Sequence, residues 1–403
     1  MKKISILGIC FFSATMSFAQ MSAVKDAERA LKDGNPDHAA IRTQIAPALT
    51  NEESKNEAIT WFVAGKNEFT LYDNLFAKKS IGQNVDNKEI GNALLDGYRY
   101  YMTALPLDTV VNEKGKVKTK YSKEIVKTIV GHYSDFDNAA RFLWEAQDYE
   151  GAYTAWDIFL SLHKKNPAIS KDLSIPHDSI MGELAYNQAL AAWQADKLDS
   201  ALVAFDHARE LGYNKKQLYD YAISVAAQRM KNDVVYALAA DAYKLYGKDD
   251  SKYISLVING YIEAKNYEKA QATIEEALTA DPNNGELYDV KGIIYESTQE
   301  NDKALDCYRK AVELNPEFAR AQYNLGRKLC EKAYAISDGA SSLTQDEYLK
   351  VRDEQIFPLF REAAQYLEKS YQLDENQRDA LRYLRNVYYN LGDEENLKRV
   401  EAL

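Results

Sequence analysis

An interval of 34 residues limits what this chain can fold into more than any other feature of its sequence. Tyr261 recurs as Tyr295, Ala270 as Ala304, Ala277 as Ala311 and Pro282 as Pro316, each pair 34 positions apart. The flanking text repeats as well, with an apolar-periodic helix, a polar turn, a second helix and a proline in both copies. A unit of this size cannot bury its own apolar face, so copies must stack and share a core with their neighbours. Length agrees with a linear array, since one compact core stops growing near ~250–300 residues and this chain has 403. Only 8 prolines and 18 glycines punctuate it, so long helical segments are expected.

Gly292, Tyr295, Ala304, Tyr308, Ala311 and Pro316 give the clearest copy, and this pattern resembles the tetratricopeptide repeat family. The small residues let two helices approach, the aromatics fill the space between successive pairs, and proline ends the second helix because it cannot donate the next hydrogen bond. The resemblance implies an all-α fold, a right-handed α-solenoid of stacked helix-turn-helix pairs. The register extends back through Ala189, Ala201, Phe205 and Ala208, then Ala226, Ala239 and Ala242, and more loosely to Ala140, Ala152, Trp156, Trp61, Ala64 and Gly65. Forward, Leu325 and Gly326 keep the interval, but Ala363, Leu367 and Ser370 arrive about 25 residues late, so an insertion near 336–358 must bulge out or lengthen the helices. The expected organisation is a signal peptide at 1–19, irregular helix pairs over 20–166, a linker at 167–181 with Pro167 and Pro176, and a regular array over 182–403. Alternating β-branched and charged residues around Gly115 predict a small β-hairpin inserted near 109–120.

The N-terminus reads as an export signal: Lys2 and Lys3, the apolar stretch Ile4 to Phe12, then Ser17-Phe18-Ala19 ahead of Gln20. Cys10 is a poor lipid-attachment site, because bulky Ile9 precedes it. No later stretch reaches the ~20 apolar residues of a transmembrane helix, so the mature chain is expected to lack a membrane anchor and to be periplasmic or outer-membrane associated, the exported type found in Gram-negative bacteria. The formal charge of −11 would repel a phosphate backbone, so no nucleic-acid partner is expected. One basic cluster stands out, Lys114, Lys116, Lys118 and Lys120.

Catalytic chemistry is not legible. His38, His132, His163, His177 and His207 fall in different segments without a second metal ligand at helical spacing, and no phosphate-binding glycine loop or serine elbow occurs. The chain reads as no enzyme, with no cofactor and no metal. Beyond Cys10, Cys307 shares a stripe with Ala304, Tyr308 and Ala311, whereas Cys330 leans toward the inner side of the array; helical spacing opposes a disulfide without deciding it.

In the family resembled, the first helix of each pair lines a concave face on which peptides lie. That register puts Tyr186, Asn187, Leu190 and Trp193 on one such helix and Asp220, Tyr221 and Gln228 on the next. Glu286, Asp289 and Glu296 follow, then Tyr323, Asn324 and Arg327, then Arg382, Tyr383, Asn386 and Tyr389. Tyr186, Asn187, Trp193, Tyr323, Asn324, Arg327, Tyr383, Asn386 and Tyr389 are therefore the candidate partner groove, with Arg327 available to a ligand carboxylate. The family's carboxylate clamp is not reproduced, since Ser255, Asp289 and Val290 stand where its cations and amides would be. Two functions compete: a non-catalytic scaffold binding a protein or peptide of the cell envelope, and a glycan-capture protein resembling helical-repeat sugar receptors of the outer membrane.

Overall fold

A computed structural model of the chain describes residues 19–111, 117–247 and 252–403. The expected export signal up to Phe18, and Lys114, Gly115 and Lys116 of the hairpin, lie outside the described residues. What is described is an all-α helical repeat of the solenoid type, with one two-stranded ribbon inserted. It divides into two compact units, residues 1–229 and 230–403.

In the first unit α1 (19–30) and α2 (His38–Thr50) precede a long pair, α3 (Ala58–Ser80) and α4 (Asn87–Leu107). These two helices run 23 and 21 residues, more than a turn longer than the 13 to 15 of the regular pairs, which is why the 34-residue spacing drifts here. Strands β1 (Val110–Val111) and β2 (Val117–Lys118) pair antiparallel, Val111 opposite Val117, so the hairpin expected near 109–120 is present. Asp108 closes its base. The carboxylate accepts the backbone N–H groups of Lys120, Tyr121 and Ser122 and the Ser122 hydroxyl, at 2.7–3.0 Å. Burial pushes that carboxyl upward, yet these donors hold it below its ordinary range.

The first unit continues with α5 (Ser122–Gly131), α6 (Asp135–Glu145), α7 (Tyr149–Lys165), the single turn α8 (Pro167–Ser170), α9 (Asp178–Gln194), α10 (Leu198–Glu210) and α11 (Lys216–Gln228). Helix α3 packs on α4, α6 on α7 and α9 on α10, and α7 also packs directly on α9. The segment 167–181 is therefore not a linker between arrays: Ile169 is fully buried, and the division between units falls 48 residues after 181, between Arg229 and Met230. Pro167 opens α8 and Pro176 lies just ahead of α9, and neither separates α7 from α9.

The second unit comprises α12 (Asn232–Tyr246), α13 (Lys252–Glu263), α14 (Tyr267–Ala280), α15 (Gly285–Ser297), α16 (Asn301–Leu314), α17 (Ala319–Gly339), α18 (Gln345–Val351), α19 (Phe357–Leu373), α20 (Arg378–Leu391) and α21 (Glu394–Glu401). The late-arriving residues near 336–358 are accommodated by helix: α17 extends to 21 residues, α18 carries a capping box from Thr344 to Glu347, and a π-turn at Arg352–Ile356 leads into α19. Ile356 and Phe360 bury the inserted part in the same core as Leu329, Ala363, Leu367 and Leu384.

A local device repeats along both units. Between the two helices of a pair the turn residue is left-handed: Gln147, Asp196, Met230, Lys265 and Gln299 all have φ between 53° and 63°. The last four are separated by 34, 35 and 34 residues, the sequence period written in the backbone. At Gln299 the turn closes with Gln299 N–H to the Glu296 carbonyl and Glu300 N–H to the Tyr295 carbonyl, at 3.0 and 2.8 Å. The second bond spans five residues, the closure of a Schellman motif, which stops one helix and reverses the chain into the next.

Candidate functional site

The best-matched repeat shows what its special residues do. Tyr308 is fully buried and its ring lies so close to α15 that a Cβ on Gly292 would sit 2.5 Å from Tyr308 Cε1. Gly326 likewise admits Leu367, whose Cγ would be 2.6 Å from an added Cβ. The hydroxyl of Tyr308 donates to Glu296 Oε2 at 2.9 Å, and Arg327 donates to both carboxylate oxygens of Glu296 at 2.7 Å and to Glu331 at 2.6 Å. Lys328, only 6% exposed, adds a bond to Glu331 at 2.9 Å. Burial alone would raise the Glu296 carboxyl; the Arg327 bonds and charge, with Tyr308 and Lys328, reverse this and hold it at about 2.

The same side chains correct part of the sequence-derived groove. Arg327 is not a free cation awaiting a ligand carboxylate, because Glu296 and Glu331 occupy it. Asn324 is buried and donates to Asp289 Oδ1 at 2.8 Å, while Arg320 bonds the other oxygen at the same distance, so Asp289 is an internal group with no exposure. Tyr186 is buried too, stacked on Tyr213 with centroids 4.9 Å apart, and burial pushes its hydroxyl up to about 12. Cys330 is fully buried rather than on the inner side, and both it and Cys307 are free thiols, pushed by burial up to about 12 and about 11.

Other predicted residues remain reachable. Tyr323 and Tyr383, both half-buried, meet edge to face at 6.1 Å and join α17 to α20, with Arg382 over the Tyr383 ring. Asn386 and Tyr389 are exposed on α20, Tyr389 to 76%. Trp193 lies 5.5 Å from Tyr221, half-buried on α9.

Asn187 lies in a cavity of about 340 Å³ bounded by α6, α7 and α9. Trp144 and Trp156 supply indole walls with centroids 6.4 Å apart, and Leu190 adds apolar surface. Asp137 fixes the rim by accepting from Trp156 Nε1 at 2.9 Å and from Arg141 Nε at 3.1 Å. The Asn187 amide has no hydrogen-bond partner among the described residues, although it is half-buried. A cleft with indole and leucine walls, one unengaged amide, and Arg141 and Glu145 at its rim suits a side chain held by contact area and oriented by a few hydrogen bonds. Sequence spacing found Asn187 but missed Trp144, Trp156 and Arg141, which belong to the preceding pair; Trp144 sits three residues before the left-handed Gln147, a position comparable to Trp193 before Asp196.

Among the described residues no three His, Cys, Asp or Glu side chains are placed to hold a metal ion, and no helix is long and apolar enough to cross a membrane. Residues 261–284 match the family profile described as tetratricopeptide repeat, and 292–327 that described as TPR repeat. The E3 SUMO-protein ligase RanBP2 of Homo sapiens, and its counterpart in Pan troglodytes, are 30% identical over 98 residues, covering 24% of this chain. That stretch is 3% of those relatives, so the likeness spans a small fraction of their length. Among solved structures, YrrB, described as a TPR protein with an unusual peptide-binding site, is 18% identical over 49% of this chain and 89% of its own, with a TM-score of 0.32. A TPR repeats protein from Bacteroides fragilis is 16% identical over 64% of this chain and 98% of its own, with a TM-score of 0.32. The chain thus carries tetratricopeptide repeats in its second unit, a fold that is generally a non-catalytic scaffold for protein interaction.

Proposed function

We propose that this chain is an exported, non-catalytic scaffold that holds a protein or peptide of the cell envelope on the first helices of its pairs. The observation carrying this reading is the tryptophan-walled cavity around Asn187, where two first helices, α6 and α9, leave apolar surface and an unengaged amide facing a ligand-sized space. Tryptophan is among the residues that dominate binding energy where protein partners meet, and the cavity offers two. The exposed end of α20, with Tyr383, Asn386 and Tyr389, is a second contact region on the same reading. Export rests on the N-terminal pattern of Lys2, Lys3, the apolar stretch and Ala19.

The test is affinity capture from envelope extract with tagged wild type and with Asn187→Ala and Trp144→Ala, run beside a glycan-binding screen and mass spectrometry of the native N-terminus. A protein recovered by wild type and lost from both variants, with a chain beginning at or beside Gln20, supports the proposal. Recovery that neither variant changes removes the cavity, an intact Met1 removes export, and saccharide binding abolished by Trp144→Ala would move the function to glycan capture.

A further inference from the structure

Lys120, one member of the lysine cluster of the sequence, has no role in the cavity described above but borders another. Lys120 joins Lys66, Lys123 and Lys127 around a second cavity of the first unit, about 760 Å³, between α3 and α5 with Tyr101 of α4 at its floor. Asp108, by capturing the N–H groups of residues 120–122, fixes where α5 begins and hence where these lysines stand. The floor is rigid: Phe69 and Tyr101 are 3% and 1% exposed, their centroids 4.9 Å apart, and His132 stacks on Phe69 at 4.9 Å.

Charge in this groove runs against the chain as a whole. The protein carries a formal −11, yet the cavity is bordered by four lysines and only two carboxylates, Glu124 and Asp73. Glu124 is taken up by Lys66 at 2.8 Å. Lys123 and Lys127 are exposed and have no acidic partner among the described residues. We propose that this groove binds an extended acidic peptide segment, an interaction surface separate from the tryptophan-walled cavity; the inference rests on the partner-binding reading and names one partner's chemistry.

Spacing favours that occupant. Four residues along a helix advance about 6 Å, so Lys123 and Lys127 are set for carboxylates at that separation. Alternate residues of an extended chain are about 6.7 Å apart on one face, which makes acidic residues at every second position the matching pattern. A lipid surface is flat where this site is concave, and a nucleic-acid backbone would meet the repulsion of the net negative chain.

The experiment is fluorescence anisotropy of the whole protein with a labelled, capped peptide alternating Glu and Ala, its Gln-for-Glu analogue, and vesicles of phosphatidylglycerol in phosphatidylcholine. The variant carries Lys123→Gln and Lys127→Gln together, with Lys171→Gln as an exposed control; glutamine keeps helix propensity, and circular dichroism checks the fold. Binding of the Glu peptide that weakens at least tenfold for the Gln analogue and for the double variant, but not for Lys171→Gln, and that falls with added salt, supports the proposal. Equal binding of both peptides, an unaffected double variant, no binding of either peptide, or binding of vesicles alone overturns it. Its failure is separable from failure of the scaffold reading, because capture lost through Asn187→Ala and Trp144→Ala does not depend on these lysines.

Discussion

The best-matched repeats of the second unit and the irregular pairs of the first differ in what their inner positions do. In 230–403, where the period is cleanest, Arg327, Asn324 and Asp289 are tied to one another's neighbours by hydrogen bonds and leave little for a ligand. In 1–229, where spacing drifts and helices lengthen, Trp144, Trp156 and Asn187 border open space, and a basic groove accompanies them. Regularity and binding capacity are therefore not the same property: a repeat that matches its neighbours can complete its polar contacts internally, whereas a mismatch leaves cavities that something else can fill.

The sharpest way to break this contrast is to disturb the closed unit. Tyr308→Ala removes a fully buried ring and the donor to Glu296, and should cost about 4 kcal/mol. Hydrogen exchange should rise over 285–339 and stay unchanged over 58–211; equal loss in both would show one cooperative core in place of two units. Arg327→Ala should come next, at about 3 kcal/mol, because it removes both guanidinium bonds from the half-buried Glu296 and leaves that carboxylate only Tyr308 and Lys328. Thermal unfolding measures it, and an unperturbed melting temperature together with lost partner binding would return Arg327 to the binding surface.

Acid provides a milder probe of the same network. The folded Glu296 carboxyl lies at about 2, below its ordinary 4.5, so its stabilisation is fully present above the unfolded value and is lost as pH falls from about 4.5 toward 2. Chemical denaturation at stepped pH should show that loss in wild type and a shallower slope in Glu296→Gln. The smallest effect concerns the turns: Lys265→Gly relieves a left-handed lysine (φ 53°), offset by greater freedom of the unfolded chain, for a net gain near 0.5 kcal/mol. A loss of stability there would mean that the lysine side chain contributes something beyond its turn.

Much of the fold was legible because it is written in small and aromatic residues at a fixed interval. The interval singled out both Gly292 and Tyr308; that the Tyr308 ring takes the space a Cβ on Gly292 would fill is what the structure adds. The boundary between units was not legible: prolines at 167 and 176 look like a break, but the packing of α7 on α9 depends on contacts distant in sequence. Site residues divided in the same way. Asn187 is half-buried and Asn386 and Tyr389 are exposed, so these three remain reachable, yet helical register could not say that Arg327 has Glu296 opposite it, 31 residues earlier. Register gives the face of a helix; what stands across from that face is a tertiary fact.

The most direct measurement is photocrosslinking with a benzoylphenylalanine placed at Asn187 in one protein and at Asn386 in another, both exported from cells and irradiated. Both positions lie on first-helix faces, but only Asn187 borders a cavity lined by indole rings. The account predicts one discrete protein adduct at 187, lost when Trp144→Ala is added, and a weaker or absent adduct at 386. An adduct at 386 with none at 187 would place the partner on the regular unit and contradict the account.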